Sequence, residues 1–242
     1  MENKKVKIRN LISIIIIAVL LITTVALSVI LIVKNKKEDD MEKYYYQKCE
    51  MFKMENANFA RNQIVFIGDS LTDGCMLDKF YSNLPLATYN RGIGGDTTSG
   101  VLKRLKISLF DINPSKIVLL IGTNDINGGV EVSKILENYR NILKEISTNL
   151  PQAEVVCISL LPLNKQLETY TNIDVDKSMQ TIVSINPEIE KIVNEFNYNF
   201  VDVFDEFVDA NNYLIKELSP DGIHLNSDGY VKLSNLIKPY LN

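Results

Sequence analysis

The chain has 242 residues, a formal net charge of −4, 46% hydrophobic residues, one histidine and three cysteines. The acidic balance and the lack of a basic stripe exclude an extended nucleic-acid interface, and a single histidine excludes a His-rich metal centre. Cys49, Cys75 and Cys157 are widely spaced, form no CxxC pair and leave an odd count, so no structural disulfide is expected.

Residues 1–10 form a basic head carrying Lys4, Lys5, Lys7 and Arg9. Residues 11–33, with Leu11 at one end and Val33 at the other, carry no charge. As a helix this stretch would be about 34 Å long at ~1.5 Å per residue, enough for a hydrocarbon core of ~30 Å. It exceeds the apolar core of a secretory signal and runs directly into Lys34, so it reads as an uncleaved transmembrane anchor. The positive-inside count of head against Lys34, Lys36 and Lys37 favours a cytoplasmic amino end by one residue. The remaining chain is then expected outside the cytoplasm, tethered to the cell membrane. In residues 34–60, Met41, Tyr45, Cys49 (or Lys48), Phe52 and Phe59 recur at roughly helical spacing. This stretch reads as a stalk helix, with a solvated linker as the alternative.

Residues 61–242 form the expected globular domain. Residues 64–67 are a short apolar run ending in Gly68-Asp-Ser-Leu71, the pattern of a buried strand with a sharp bend at its carboxyl end. A short helix over 77–83 and a strand over 87–91 follow. The glycine-rich loop 92–100 then leads into a helix through Leu109. It is no phosphate cradle. A P-loop needs Lys and Ser/Thr where Val101 and Leu102 stand, and a dinucleotide fingerprint needs glycine where Thr97 stands. Residues 116–121 are the clearest strand and end in Gly122-Thr-Asn-Asp125. A long amphipathic helix over 130–150 stops at Pro151, and a fourth strand covers 154–160. A polar loop, 164–176, is placed to overhang the strand ends. Helical patterns cover 175–185 and, with Pro187 at a first-turn position, 188–197. A short fifth strand at 200–203, a polar loop through Asp221-Gly-Ile-His224 and a last helix from Ser227 or Asp228 to Leu241 complete the chain. Strands alternating with helices imply an α/β domain with a parallel sheet covered on both faces.

Four loops therefore leave the carboxyl ends of strands or return to that face, where α/β sheets bind ligands. They supply Ser70, the amides of Gly94 and Gly95, Asn124, and Asp221 with His224. This set suits acyl transfer. A hydroxyl is too weakly acidic to attack an ester unaided, and a neutral imidazole can take its proton. A carboxylate on the other ring nitrogen fixes the tautomer, and preplaced donors hold the negative oxygen of the intermediate.

These blocks resemble the SGNH/GDSL hydrolase family of esterases and lipases. Gly68-Asp-Ser-Leu71 matches its first block, Gly94-Gly-Asp-Thr97 its second, Gly122-Thr-Asn-Asp125 its third and Asp221-Gly-Ile-His224 its last. The resemblance covers the chain from Ile64 to the carboxyl end. It implies a flavodoxin-like three-layer sandwich with a five-stranded parallel sheet. It implies a catalytic triad of Ser70, Asp221 and His224, and an oxyanion hole of Ser70, Gly95 and Asn124. Gly95 is the best match for the family's oxyanion glycine, although either Gly94 or Gly95 can serve. Asp69 and Asp125 read as structural, while Asp73, Thr97 and Thr98 are weaker candidates for substrate contact.

The resulting expectation is a membrane-anchored serine esterase needing no metal and no organic cofactor. Its substrate is an acyl ester, with an acetylated envelope carbohydrate placed ahead of lipid. The alternatives are a lysophospholipase or other lipid esterase, a thioesterase, an O-acyltransferase using the same residues, and a non-catalytic glycan-binding module.

Overall fold

The computed structural model describes the backbone of residues 2–169 and 171–242, and side chains of these except 2–18, 34, 35, 37 and 39. Two compact units divide between Gln47 and Lys48. The unit that ends at Gln47 lies within helix α1 (Glu2–Glu55). There the described side chains of residues 19–33 are exposed, with Leu21 at 62% and Ile22 at 69%. Among the described residues, no helix is long and apolar enough to cross a membrane. Residues 11–18 of the expected anchor lie outside the described side chains.

The second unit is an α/β sandwich. Its strands are β1 (Ile64–Gly68), β2 (Thr88–Gly92), β3 (Lys116–Leu120), β4 (Glu154–Ile158) and β5 (Asn199–Val201). They form one parallel sheet in the order β2-β1-β3-β4-β5. This is the flavodoxin-like order, which reverses direction beside β1 and places a ligand crevice there. Central β1 and β3 are apolar at nearly every position because both their faces are covered. Ile64, Val65, Ile67, Ile117 and Leu119 have no exposed surface, and each such side chain contributes about 1.5–3 kcal/mol through burial.

Helices α4 (Thr98–Leu105), α6 (Val132–Asn149) and α7 (Val175–Glu195) pack on one another in sequence and cover one face. Each lies in a crossover between parallel strands that runs in the same direction across the sheet, and the right-handed rule for such units puts them on a common face. The step from β1 to β2 runs the other way. Its helix α3 (Leu77–Phe80) packs with α8 (Ser227–Ile237) on the opposite face. Two short helices, α2 (Ser70–Asp73) and α5 (Thr123–Asn127), start directly at the ends of β1 and β3.

Three expectations need correction. The helical patterns on either side of Pro187 are one helix, α7, with Pro187 inside it. The missing N–H leaves the carbonyl of Val183 without its helical partner, and Val183 is 55% exposed, so water can serve it. Burial of Ile182, Ile185, Ile189 and Ile192 on the same helix outweighs the break. The helix expected through Leu109 changes at Lys106 to a wider turn, Lys106–Phe110. Finally, Gly68 is not a positive-φ glycine. Its reason is space: a Cβ there would stand 2.1 Å from the carbonyl oxygen of Leu120 and 2.5 Å from Oγ1 of Thr72.

Candidate active site

Ser70 is the first residue of α2, and the buried carboxylate of Asp69 caps that helix by accepting the Leu71 N–H at 3.0 Å. On the other side of α2, the Tyr230 hydroxyl donates to the Leu71 carbonyl at 2.8 Å. The turn that carries Ser70 is thus held through both backbone groups of Leu71. Burial pushes the Asp69 carboxyl up to about 7, against the Leu71 N–H, which lowers it.

His224 reaches this turn from the loop before α8. Its Nε2 stands 2.9 Å from Ser70 Oγ, and its Nδ1 stands 2.6 Å from Asp221 Oδ2. The other oxygen of Asp221 accepts the backbone N–H groups of Ile223 and His224 at 3.0 and 2.9 Å. Burial alone would raise the Asp221 carboxyl, but the bonds from the His224 ring and these amides together hold it below its ordinary value. Gly222 makes the tight turn between them with φ of 92°, a conformation costly for any side chain. The polar loop expected over the site supports this turn: Asn164 N–H donates to the Gly222 carbonyl at 2.8 Å. The Asp221 and His224 side chains are 35% and 41% exposed, so the site opens to solvent.

The glycine loop after β2 closes a four-residue turn, with the Asp96 N–H donating to the Ile93 carbonyl at 3.1 Å. Gly95, third in the turn, has φ of 77°, as a type II turn requires. The Gly94 N–H is engaged by Asp73 Oδ2 at 3.2 Å. That leaves the Gly95 N–H as the loop amide available to a ligand. Asn124, second residue of α5, donates one amide hydrogen to the Asp96 carbonyl at 2.9 Å. Its second hydrogen remains available to an oxyanion.

A network below the loop went unread in the sequence. Arg104 is 1% exposed and donates to Asp96 Oδ2 at 2.8 Å, to the Arg91 carbonyl at 2.7 Å, to Ser108 Oγ at 2.9 Å and to the Gly68 carbonyl at 3.0 Å. One guanidinium therefore ties the ends of β1 and β2 to the loop. Burial pushes the Asp96 carboxyl up, and the adjacent Arg104 charge opposes that shift. Thr98 is fully buried and donates both its N–H and its hydroxyl to Asp125, at 2.9 and 2.6 Å. Thr97 caps α4 by accepting the Gly100 N–H. Thr97, Thr98, Asp69 and Asp125 are thus each bonded within the protein. Asp73 bonds to protein on both carboxylate oxygens. Cys75, whose thiol burial pushes up to about 12, offers no reactive thiolate.

The arrangement can transfer a proton from Ser70 to His224 while Asp221 holds the ring. A model of the GDSL-like lipase/acylhydrolase family matches residues 66–232. Platelet-activating factor acetylhydrolase IB subunit alpha2 of Rattus norvegicus is 30% identical over 173 residues, covering 70% of this chain and 72% of the relative. A solved Streptococcus pneumonia structure, provisionally described as a platelet activating factor, superposes with a TM-score of 0.80 at 31% identity. It covers 86% of this chain and 97% of its own. An acetylxylan esterase from Geobacillus stearothermophilus shares the fold, with a TM-score of 0.61 at 19% identity over 76% of this chain and 95% of that one.

Proposed function

The chain belongs to the GDSL-like lipase/acylhydrolase family, and from that premise we propose that it is a serine ester hydrolase that removes acetyl or other short acyl groups. The observation that carries this reading is the continuous chain Ser70 Oγ, His224 and Asp221, bonded at 2.9 and 2.6 Å. Ser70 is the nucleophile. His224 takes its proton and returns it to the leaving alcohol, and Asp221 orients the imidazole and stabilises it when charged. The Gly95 N–H, the Asn124 amide and the Ser70 N–H receive the oxyanion. Water, activated by the same imidazole, then releases the acyl group.

Acetyl is the acyl group we favour. The 30% identical relative is by name an acetylhydrolase. A histidine 41% exposed on an open face also suits a small acyl group on a bulky alcohol better than a chain that must be enclosed. For the alcohol we favour an envelope carbohydrate. That choice follows from the proposed address: residues 11–33 as a membrane anchor, residues 1–10 in the cytoplasm, residues 34–60 as a stalk and the hydrolase domain, residues 61–242, outside. Support for the anchor is the uncharged run in the sequence and the exposure of successive apolar residues from Leu20 to Ile22 and from Val29 to Val33. Consecutive positions point to all sides of a helix, so hydrocarbon on all sides would cover them. Protease treatment of intact cells is expected to remove the domain, and full protection would overturn the orientation.

The test of the activity is hydrolysis of nitrophenyl esters of increasing chain length by the full chain, with Ser70→Ala as control. A Ser70-dependent rate highest at acetate supports the reading. A maximum at long chains moves the substrate to lipid. Equal rates for wild type and mutant contradict it.

A further inference from the structure

The carboxyl-terminal turns of α1, from Lys48 to Glu55, belong to the same compact unit as the site. They are packed into it: Cys49 is 8% exposed and Phe52 1%. The Arg91 guanidinium stacks between the rings of Phe52 and Phe59, at 4.5 and 4.6 Å, and donates to Glu55 at 2.6 Å and to Asn56 at 2.8 Å. This fixes the helix end against β2. Just before it, the Lys48 ammonium meets Asp73 Oδ1 at 2.7 Å. The second oxygen of the same carboxylate accepts the Gly94 N–H at 3.2 Å.

We propose that Lys48 is a positioning residue for the hydrolysis reaction, holding Asp73 in the one orientation that clamps Gly94 and so aims the neighbouring Gly95 N–H at the oxyanion. The inference rests on the reading of the site as a serine esterase. The Lys48 and Asp73 side chains are 18% and 23% exposed, so water competes for the carboxylate, and the ion pair narrows the rotamers open to Asp73. The backbone of Asp73 cannot compensate by moving closer. A Cβ on Gly92 would already stand 2.1 Å from the Asp73 nitrogen, so α2 and the end of β2 touch. The loop itself has the freedom that needs restraining. The peptide joining Gly94 to Gly95 is the one that reverses when a type II turn becomes type I. With glycine on both sides, no side chain opposes that reversal. The N–H that would turn away is the Gly95 donor. The clamp on Gly94 acts one peptide from this hinge, and Lys48 supplies the charge that keeps the clamp closed.

Lost alignment of one donor reduces a rate by up to about 10²–10³. Loss of the lysine, which leaves the glycine in place, is expected to lower kcat by about tenfold with KM changed less than twofold. The experiment compares full-length wild type, Ser70→Ala, Lys48→Met, Lys48→Arg and Asp73→Asn on nitrophenyl acetate, with a melting temperature for each. The inference predicts reduced kcat for Lys48→Met and Asp73→Asn at near wild-type melting temperature, and recovery of most of the rate in Lys48→Arg. Asp73→Asn keeps an acceptor for Gly94 but not the ion pair, so it reports on the clamp should Lys48→Met fold poorly. Wild-type kcat in both variants, or no recovery with arginine, overturns the role of Lys48 while the Ser70-dependent activity stands. No Ser70-dependent activity in the wild type overturns the esterase reading, and the inference with it.

Discussion

The Nε2 of His224 stands 2.9 Å from the Oγ of Ser70, although 154 positions separate them in the chain. Two loops bring them together. One is the turn from β1 into α2, capped by Asp69, and the other is the Ser219–His224 turn made by Gly222. Replacing Ser70 or His224 with alanine is expected to lower kcat by about 10⁴ or more with the fold intact. Asp221→Asn is expected to cost about 10⁴ by favouring the wrong imidazole tautomer. Steady-state kinetics together with circular dichroism check all three.

Asn124 is expected to act on the rate rather than on binding. Its amide is oriented by the Asp96 carbonyl at 2.9 Å, and in the proposed reaction it meets negative charge only in the tetrahedral state. Asn124→Ala should reduce kcat by about 10²–10³ while KM stays within a few-fold. A rise in KM with unchanged kcat would place Asn124 in substrate binding instead.

Asp69 ties stability to pH. Its carboxyl titrates at about 7 in the folded chain against 3.8 for the ordinary group, because burial opposes the charge. Between these values the folded chain keeps a proton that the unfolded chain has lost. Stability therefore falls as pH rises through this window and levels off above it. Asp69→Asn retains an oxygen for the Leu71 N–H and has nothing to ionise. Its stability relative to wild type should grow from about pH 4 to about pH 7, by at most ~4 kcal/mol. Urea unfolding of both proteins at three pH values within and above this range measures the difference.

Arg104 and Asp96 form a buried pair, with side chains 1% and 2% exposed. Removing only the cation leaves a desolvated carboxylate and strips donors from the Gly68 and Arg91 carbonyls. Arg104→Met should destabilise the domain by about 3–5 kcal/mol. The double change with Asp96→Asn should cost less than the sum of the single changes, as read by denaturant midpoints.

The parts of the site that were legible in the sequence are those in which chemistry and local structure share a few adjacent residues. Gly68-Asp-Ser-Leu71, Gly122-Thr-Asn-Asp125 and Asp221-Gly-Ile-His224 each hold a candidate side chain together with the turn that presents it. The sheet was legible because β1 and β3 are apolar on both faces. Arg104 was not legible, since an arginine in a helix ordinarily reads as solvated; nothing local announces that two strand-end carbonyls and a loop carboxylate converge on it. Lys48 reads as one choice in a helical stripe for the same reason, as its partner Asp73 lies 25 positions away. Pro187 reads as a helix start because proline marks starts more often than interiors; the exposure of Val183 and the buried isoleucines around it make it tolerable inside α7. Spacing leaves both Gly94 and Gly95 open because it does not encode that Asp73 engages the Gly94 N–H.

The most direct test of the central claim is covalent. Full-length protein treated with a fluorophosphonate and digested should carry one phosphonyl group on the peptide containing Ser70. The label should be absent from Ser70→Ala and strongly slowed in His224→Ala. No adduct, or an adduct on another residue that persists in Ser70→Ala, would contradict the assignment of Ser70 as the nucleophile.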